Sequence, residues 1–211
     1  MLIQKGFLKP DGGITKKGNL IKLLNGYEQI PIIELISNRS FENLTPIQLA
    51  GVLGGLANIE YNTRGDAINR PFELKNKSDK SFFEIAEKIT SEIKKYGEDL
   101  KTIYPNKEVH INSNIMEHLY SWAELNSQDE DSKSNWKKLY TGNLKTSIKD
   151  EGSLFREIAT TIDLIKQLTH IAAEGENQAK NPEDKIYYQT LQANLKEALK
   201  LLQKTPVDMQ V

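Results

Sequence analysis

Zinc, nucleophilic and phosphate chemistry each need particular residues at particular spacings, and these 211 residues lack most of those sets. The three histidines, His110, His118 and His170, form no His-x-x-x-His or Glu-x-x-His pair, so no zinc site is expected. Glu117 and His118 are adjacent rather than facing. Cysteine is absent, which excludes disulfides and thiolate ligands. There is no Gly-x-Ser-x-Gly elbow to seat a nucleophile. No Gly-Lys-Ser/Thr follows a glycine run, so nucleotide phosphates have no Walker A cradle. The expectation is a chain that is not an enzyme on its own and holds no metal and no cofactor. What remains is cationic. The stretch Asp150-Glu151-Gly152-Ser153-Leu154-Phe155-Arg156 opens a helix, and Asp150, Glu151 and Ser153 suit its cap and the positive end of its dipole. Arg156 there has two readings, a capping or salt-bridge role and a phosphate contact. A second basic set lies near the N-terminus. Lys5, Lys9, Lys16, Lys17 and Lys22 face only Asp11 over that span. It reads as a solvated face or as a phosphate-contacting surface.

The length fits one domain or one domain with an appendage, and hydrophobic content of 38% with 27% charged residues reads as globular. A net charge of −1 gives no global pull toward nucleic acid or anionic membrane, so any basic surface must be local. No apolar run approaches the roughly 20 residues that span a bilayer. Met1–Gly6 carries no signal-peptide core. A soluble, cytoplasmic protein without a membrane partner is expected.

The elements that must position these residues are nearly all helical. Pro10-Asp11-Gly12-Gly13 marks a tight reversal, and Thr15 caps a short helix through Leu24. Pro31 suits the first turn of an amphipathic helix within 28–40. Thr45 and Pro46 start a helix to about Ile59 that is apolar nearly all round, as a bundle centre should be. Gly51, Gly54 and Gly55 cost helix propensity there and imply close approach of another backbone. Residues 61–80, polar with Arg64, Gly65, Asn69, Pro71, Asn76 and Ser78, read as loop. Phe82 to Leu100 form one apolar stripe, started by Asp79 or Ser81, and Ile115 to Ala123 form a shorter one. A polar insert runs from Asn126 to Asn135, with Asp129-Glu130-Asp131 solvated. The helix after Asp150 places Leu154, Ile158, Ile162, Ile165 and Leu168 on one face to about Ala173. It is the second candidate for the bundle centre. After Asn181-Pro182, a last helix spans Ile186 to Gln203 and stops at Thr205-Pro206-Val207. Strand is expected only near residues 6–15 and at Val109-His110-Ile111. The fold class is an all-α helical bundle with a small N-terminal β-turn element.

Several of these segments resemble, in order, the C-terminal helical (DSHCT) domain of Ski-type DExH RNA helicases. Leu44-Thr45-Pro46-Ile47-Gln48-Leu49-Ala50 looks like its L-S/T-P-x-x-L-A helix. Trp122-Ala123 and Asn135-Trp136-Lys137-Lys138-Leu139 resemble its two tryptophan segments. Asp150–Arg156 resembles its D-E-G-D/S start, Ile162–Leu168 its D-L-L-x-Q-I continuation, and Ala198–Val207 its finish. Residues 1–40 look like the segment leading into the domain. The spelling is closest to the bacterial branch. Many relatives carry two further arginines where this chain has Ala159 and Thr160, and Lys204 replaces a terminal arginine. The RecA-like motor domains are missing from this chain.

The resemblance implies residues 1–27 as a winged-helix-like lead-in element and 28–211 as the helical bundle. It implies a non-catalytic accessory domain that packs on helicase motor domains, on the same or a separate chain, and helps line a single-stranded RNA path in RNA processing or decay. Arg156 and Lys166, then Lys16 and Lys17, are the candidate RNA contacts. The alternative is a protein–protein interaction bundle with no nucleic-acid role, for which Trp122, Trp136, Tyr187 and Tyr188 are the candidate anchors.

Overall fold

The computed structural model describes residues 1–62, 79–105, 108–128, 131–141 and 150–204. In chain order these form α1 (Lys16–Ile21), α2 (Gln29–Ser37), α3 (Pro46–Ala57), β1 (Glu60–Asn62), α4 (Lys80–Lys101), β2 (Glu108–His110), α5 (Ser113–Ser127), α6 (Ser132–Thr141), α7 (Glu151–Gln178) and α8 (Pro182–Gln203). The fold is an all-α bundle. Among the described residues, strand is limited to the antiparallel β1–β2 ribbon, with Tyr61 opposite Val109, and a single Leu8–Ile14 bridge.

Helix α3 forms where the sequence places it because both orphan ends of its first turn are satisfied. The Thr45 hydroxyl accepts the Gln48 amide at 3.2 Å, and the Gln48 side chain accepts the Thr45 amide at 3.0 Å. Pro46 occupies a first-turn position, where a missing N–H is harmless. Every residue from Gln48 to Leu56 is buried. The glycines do what their spacing implies. A Cβ at Gly54 would lie 2.9 Å from Leu119 Cγ and 3.3 Å from the Ile115 carbonyl oxygen; one at Gly55 would lie 2.6 Å from Met116 Cγ. Helix α5 therefore lies close against α3, which also packs against α4, α7 and α8.

Asp150 caps α7 and Asn181 caps α8. Helix α7 outruns the expected end near Ala173 and stops at Gln178, and α8 begins four residues earlier than expected, at Pro182. The two helices form the most extensive interface in the bundle. Gly175 permits it, because the Tyr188 ring occupies the space a side chain there would need.

The lead-in element shares the core rather than standing apart from it. Phe7, Leu20 and Leu24 are buried in the same continuous cluster as α3 and α7. The Pro10–Gly13 reversal closes through Lys9 N–H to the Gly13 carbonyl at 2.7 Å. Lys5 reaches Glu34 and Asp99, each at 2.9 Å, tying the element to α2 and α4. The following loop docks on α7. The Gln167 side-chain amide pairs with both backbone groups of Asn25, at 2.7 and 3.2 Å, and the Tyr27 hydroxyl lies 2.8 Å from both the Thr160 carbonyl and Asp163 Oδ2.

Three expectations are revised or lie out of reach. The stretch expected as loop from Tyr61 opens with β1, and its remainder, Arg64 to Ser78, lies outside the described residues. The polar Asn126–Asn135 insert is helical and buried at its ends: Asn126 belongs to α5, Asn135 to α6, and both are buried, while Asp131 is exposed. Polar composition misleads there because both side-chain amides donate to backbone carbonyls. Asp129, Glu130 and the Thr205-Pro206-Val207 stop lie outside the described residues.

Asp79 is the residue that starts α4, and it is also a pH-sensitive joint. Its Oδ1 accepts the Ser81 and Phe82 amides at 2.9 and 3.1 Å, and its Oδ2 accepts the Tyr120 hydroxyl at 2.6 Å. Partial burial pushes this carboxyl up, but the Tyr120, Ser81 and Phe82 hydrogen bonds outweigh it, so it sits below its ordinary 3.8. Its contribution to stability is thus complete above that value and lost as pH falls through the lower, folded one. Nearby Glu124 has the opposite sign, pushed up first by burial and then by the Asp79 charge. For Asp79→Ala we expect a destabilisation of about 1 kcal/mol at pH 7, typical of a removed cap. The gap from the parent chain should shrink below pH 3.8. Urea midpoints at neutral and acid pH measure this; a gap that does not narrow in acid contradicts it.

Candidate functional site

Four of the segments that carry the helicase resemblance, at Trp122, at Asn135-Trp136, at Glu151–Phe155 and at the end of α8, meet at one joint of α5, α6, α7 and α8. Trp122 is fully buried and stands edge-on to Trp136, with ring centroids 5.3 Å apart. Trp136 lies 4.6 Å from the Phe155 ring and donates its indole N–H to Glu151 at 3.2 Å. The Trp122 indole N–H points to the Leu202 carbonyl at 3.4 Å. Asn126 Nδ2 donates to the Leu201 carbonyl at 2.8 Å, and Asn135 Nδ2 to the Leu125 carbonyl and Asn126 Oδ1, both at 3.1 Å. Lys204 closes the arrangement by donating to the Asn126 carbonyl at 2.9 Å. Its ammonium therefore binds a carbonyl at the α5 terminus, where helix dipoles favour a cation. The joint is a structural device whose buried donors are satisfied; Asn135 Oδ1 is a buried acceptor with no partner among the described residues.

Arg156 projects from the start of α7 and is exposed. Its Nη2 donates to Ser153 Oγ at 3.0 Å, and Ser153 Oγ in turn donates to Asp150 Oδ2 at 2.7 Å. The cap and the arginine thus form one local chain of hydrogen bonds. Among the described residues no carboxylate is ion-paired with Arg156. Ala159 and Thr160 follow one turn later. The Thr160 hydroxyl bonds back to the Arg156 carbonyl, and the Thr160 carbonyl faces Tyr27.

The other candidate cations are not gathered beside Arg156. Lys166 is half-buried further along α7. Lys16 donates to the Gln178 carbonyl at 2.9 Å, at the far end of α7. At about 1.5 Å rise per residue, the stretch from Arg156 to Gln178 spans roughly 33 Å. Lys17 is engaged: its ammonium lies 2.9 Å from the Lys5 carbonyl, 3.7 Å from Glu34 and 4.5 Å from the Phe7 ring centre. Burial pushes Lys17 below its ordinary range despite Glu34, whereas the hydrogen bonds of Lys5 to Glu34 and Asp99 outweigh its own burial and raise it. Part of the N-terminal basic set therefore holds the lead-in element to α2 and α4.

His118 is buried on α5, its Nδ1 2.9 Å from Glu157 on α7. Among the described residues no cluster of His, Asp and Glu is arranged to hold a metal ion. No helix among them is long and apolar enough to cross a membrane.

A family model described as the DSHCT (NUC185) domain matches residues 11–210, nearly the whole chain. The chain belongs to the DSHCT family. No curated protein gives a match. DSHCT domains are C-terminal accessory domains of Ski-type helicases and are not themselves catalytic. Several DSHCT contacts have no sequence signature. Tyr27, Gln167 and Lys204 act on partners 75 or more positions away, and nothing in their local spacing marks them.

Proposed function

We propose that this DSHCT chain packs on the motor domains of an RNA helicase, on the same or a separate chain. There it helps line the path of single-stranded RNA in cytoplasmic RNA processing or decay. The observation that carries the reading is Arg156, an exposed guanidinium at the start of a central helix that is ion-paired to no carboxylate among the described residues. Arginine at such a place is suited to bidentate phosphate contact. Residues 1–27 act as a lead-in that fixes the orientation of the 28–211 bundle. Lys166 is a second contact on the same helix. Lys17 contributes to the lead-in rather than to RNA.

The interaction-bundle alternative is left without its main anchors, because Trp122, Trp136 and Tyr187 are at most 8% exposed and serve the core. Anisotropy with labelled single-stranded RNA tests the RNA half. The parent chain should bind with strong salt dependence, and Arg156→Glu should lower the slope of log K against log salt by about 0.7 for each phosphate no longer neutralised. Absence of salt-sensitive binding at high micromolar protein rejects RNA contact. Affinity capture of motor domains tests the packing half separately.

A further inference from the structure

A cleft of about 390 Å³ opens between α1 and the corner that joins α7 to α8. Lys16, Lys17 and Lys180 line it, and Asp184 is the one carboxylate among its lining residues. Asp184 is already committed: Arg39 donates to its Oδ1 at 2.6 Å and Asn181 Nδ2 to its Oδ2 at 2.8 Å. Lys17 is balanced by Glu34. Among the described residues, two ammonium groups of the cleft, Lys16 and Lys180, are left with no carboxylate partner, in a chain whose net charge is −1.

Lys16 is held by a hydrogen bond and Lys180 by the position of its backbone. Lys16 spends one of its three donors on the Gln178 carbonyl at 2.9 Å. Lys180 is exposed and has no partner among the described residues, but its backbone sits in a very short corner. On one side the Ala179 amide donates to the Glu176 carbonyl; on the other Asn181 caps α8. The half-buried Tyr188 ring, packed over Gly175, supplies an aromatic wall. Cations beside an accessible ring are the combination that holds single-stranded nucleic acid, charge for the backbone and π-face for a base.

We propose that this cleft is a subsite for single-stranded RNA, in which Lys16 and Lys180 hold the phosphodiester backbone and Tyr188 faces a base. The subsite rests on the RNA-binding reading of the chain but is spatially separate from Arg156, at the opposite end of α7. It selects Lys16 over Lys17 among the N-terminal lysines and adds Lys180.

The test is a salt titration of the full chain with fluorescein-labelled oligouridylate. K16A/K180A should lower the log–log slope by about 0.7 for each phosphate released, and the affinity about tenfold near 0.1 M salt. The charge-matched K9A/K22A, at exposed lysines outside the cleft, should keep the parent slope. K16R/K180R should restore binding. K180A alone, at a side chain with no partner among the described residues, guards against a folding defect at Lys16 and should show a partial weakening. If K16A/K180A and K9A/K22A behave alike while Arg156→Glu still weakens binding, the subsite is overturned and the accessory-domain reading stands. If the parent chain binds no oligouridylate yet captures motor domains, the subsite and the RNA half fall together and the packing half survives.

Discussion

Trp122→Ala should lower the unfolding free energy by about 3–5 kcal/mol, the range for truncating a large buried aromatic. With domain stabilities commonly about 5–15 kcal/mol, such a drop leaves the chain marginal. The effect is large because the indole does more than fill volume. It stands edge-on to Trp136, which stacks toward Phe155 and binds Glu151 at the start of α7. Its N–H also meets the Leu202 carbonyl near the end of α8. Removing it opens a cavity where four helices meet and leaves that carbonyl short of a donor. Trp136 becomes the one remaining tryptophan, so its emission reports directly on the joint. The expected result is a lower urea midpoint by circular dichroism together with red-shifted Trp136 fluorescence in the native baseline. A variant with parental stability and unshifted emission contradicts the hub role.

Gly54→Val is the second large effect, expected to destabilise by about 2–3 kcal/mol through overpacking. Gly51 and Gly55 would press a new Cβ mainly on side chains, at the Phe82 ring and Met116. Gly54 differs, since its nearest neighbours include the Ile115 carbonyl, which is backbone and cannot rotate away. The penalty must overcome the gain from replacing a helical glycine, at most about 1 kcal/mol. That competition makes the prediction sharp: if α3 and α5 were loosely packed, the substitution would stabilise the protein. A raised melting temperature for Gly54→Val therefore rules out the close α3–α5 contact.

These two sites mark how far the sequence could be read. The caps at Thr45 and Asp150 were legible because each acts within one turn of its own helix, where spacing is the signal; Asp79 was one of two candidates beside Ser81, and Asn181 read only as punctuation before a helix expected at Ile186. The glycines of α3 were legible from their cost to the helix, which implied a close neighbour. The order of tryptophan and acidic segments was legible as a family pattern. The Asn126–Asn135 joint was not, since its meaning lies in carbonyls of α8 some 75 positions away. The same holds for the basic N-terminal set. Lys5 and Lys17 look like their neighbours in sequence, and only the placement of Glu34 and Asp99 separates them from Lys16. Arg156 was legible as a cation on a central helix, but its lack of an ion pair among the described residues became visible only with the fold.

The burial of α3 on all sides has a consequence for biosynthesis. The helix is synthesised by residue 57, whereas α5 begins at Ser113 and α7 at Glu151. At about 5–20 residues per second, its glycine face waits several seconds for α5, and its remaining faces longer still for α7 and α8. The centre of this bundle is made well before most of what covers it. A nascent chain stalled before Ser113 lacks α5, α7 and α8 and presents a largely apolar α3 to water, a natural substrate for holding chaperones.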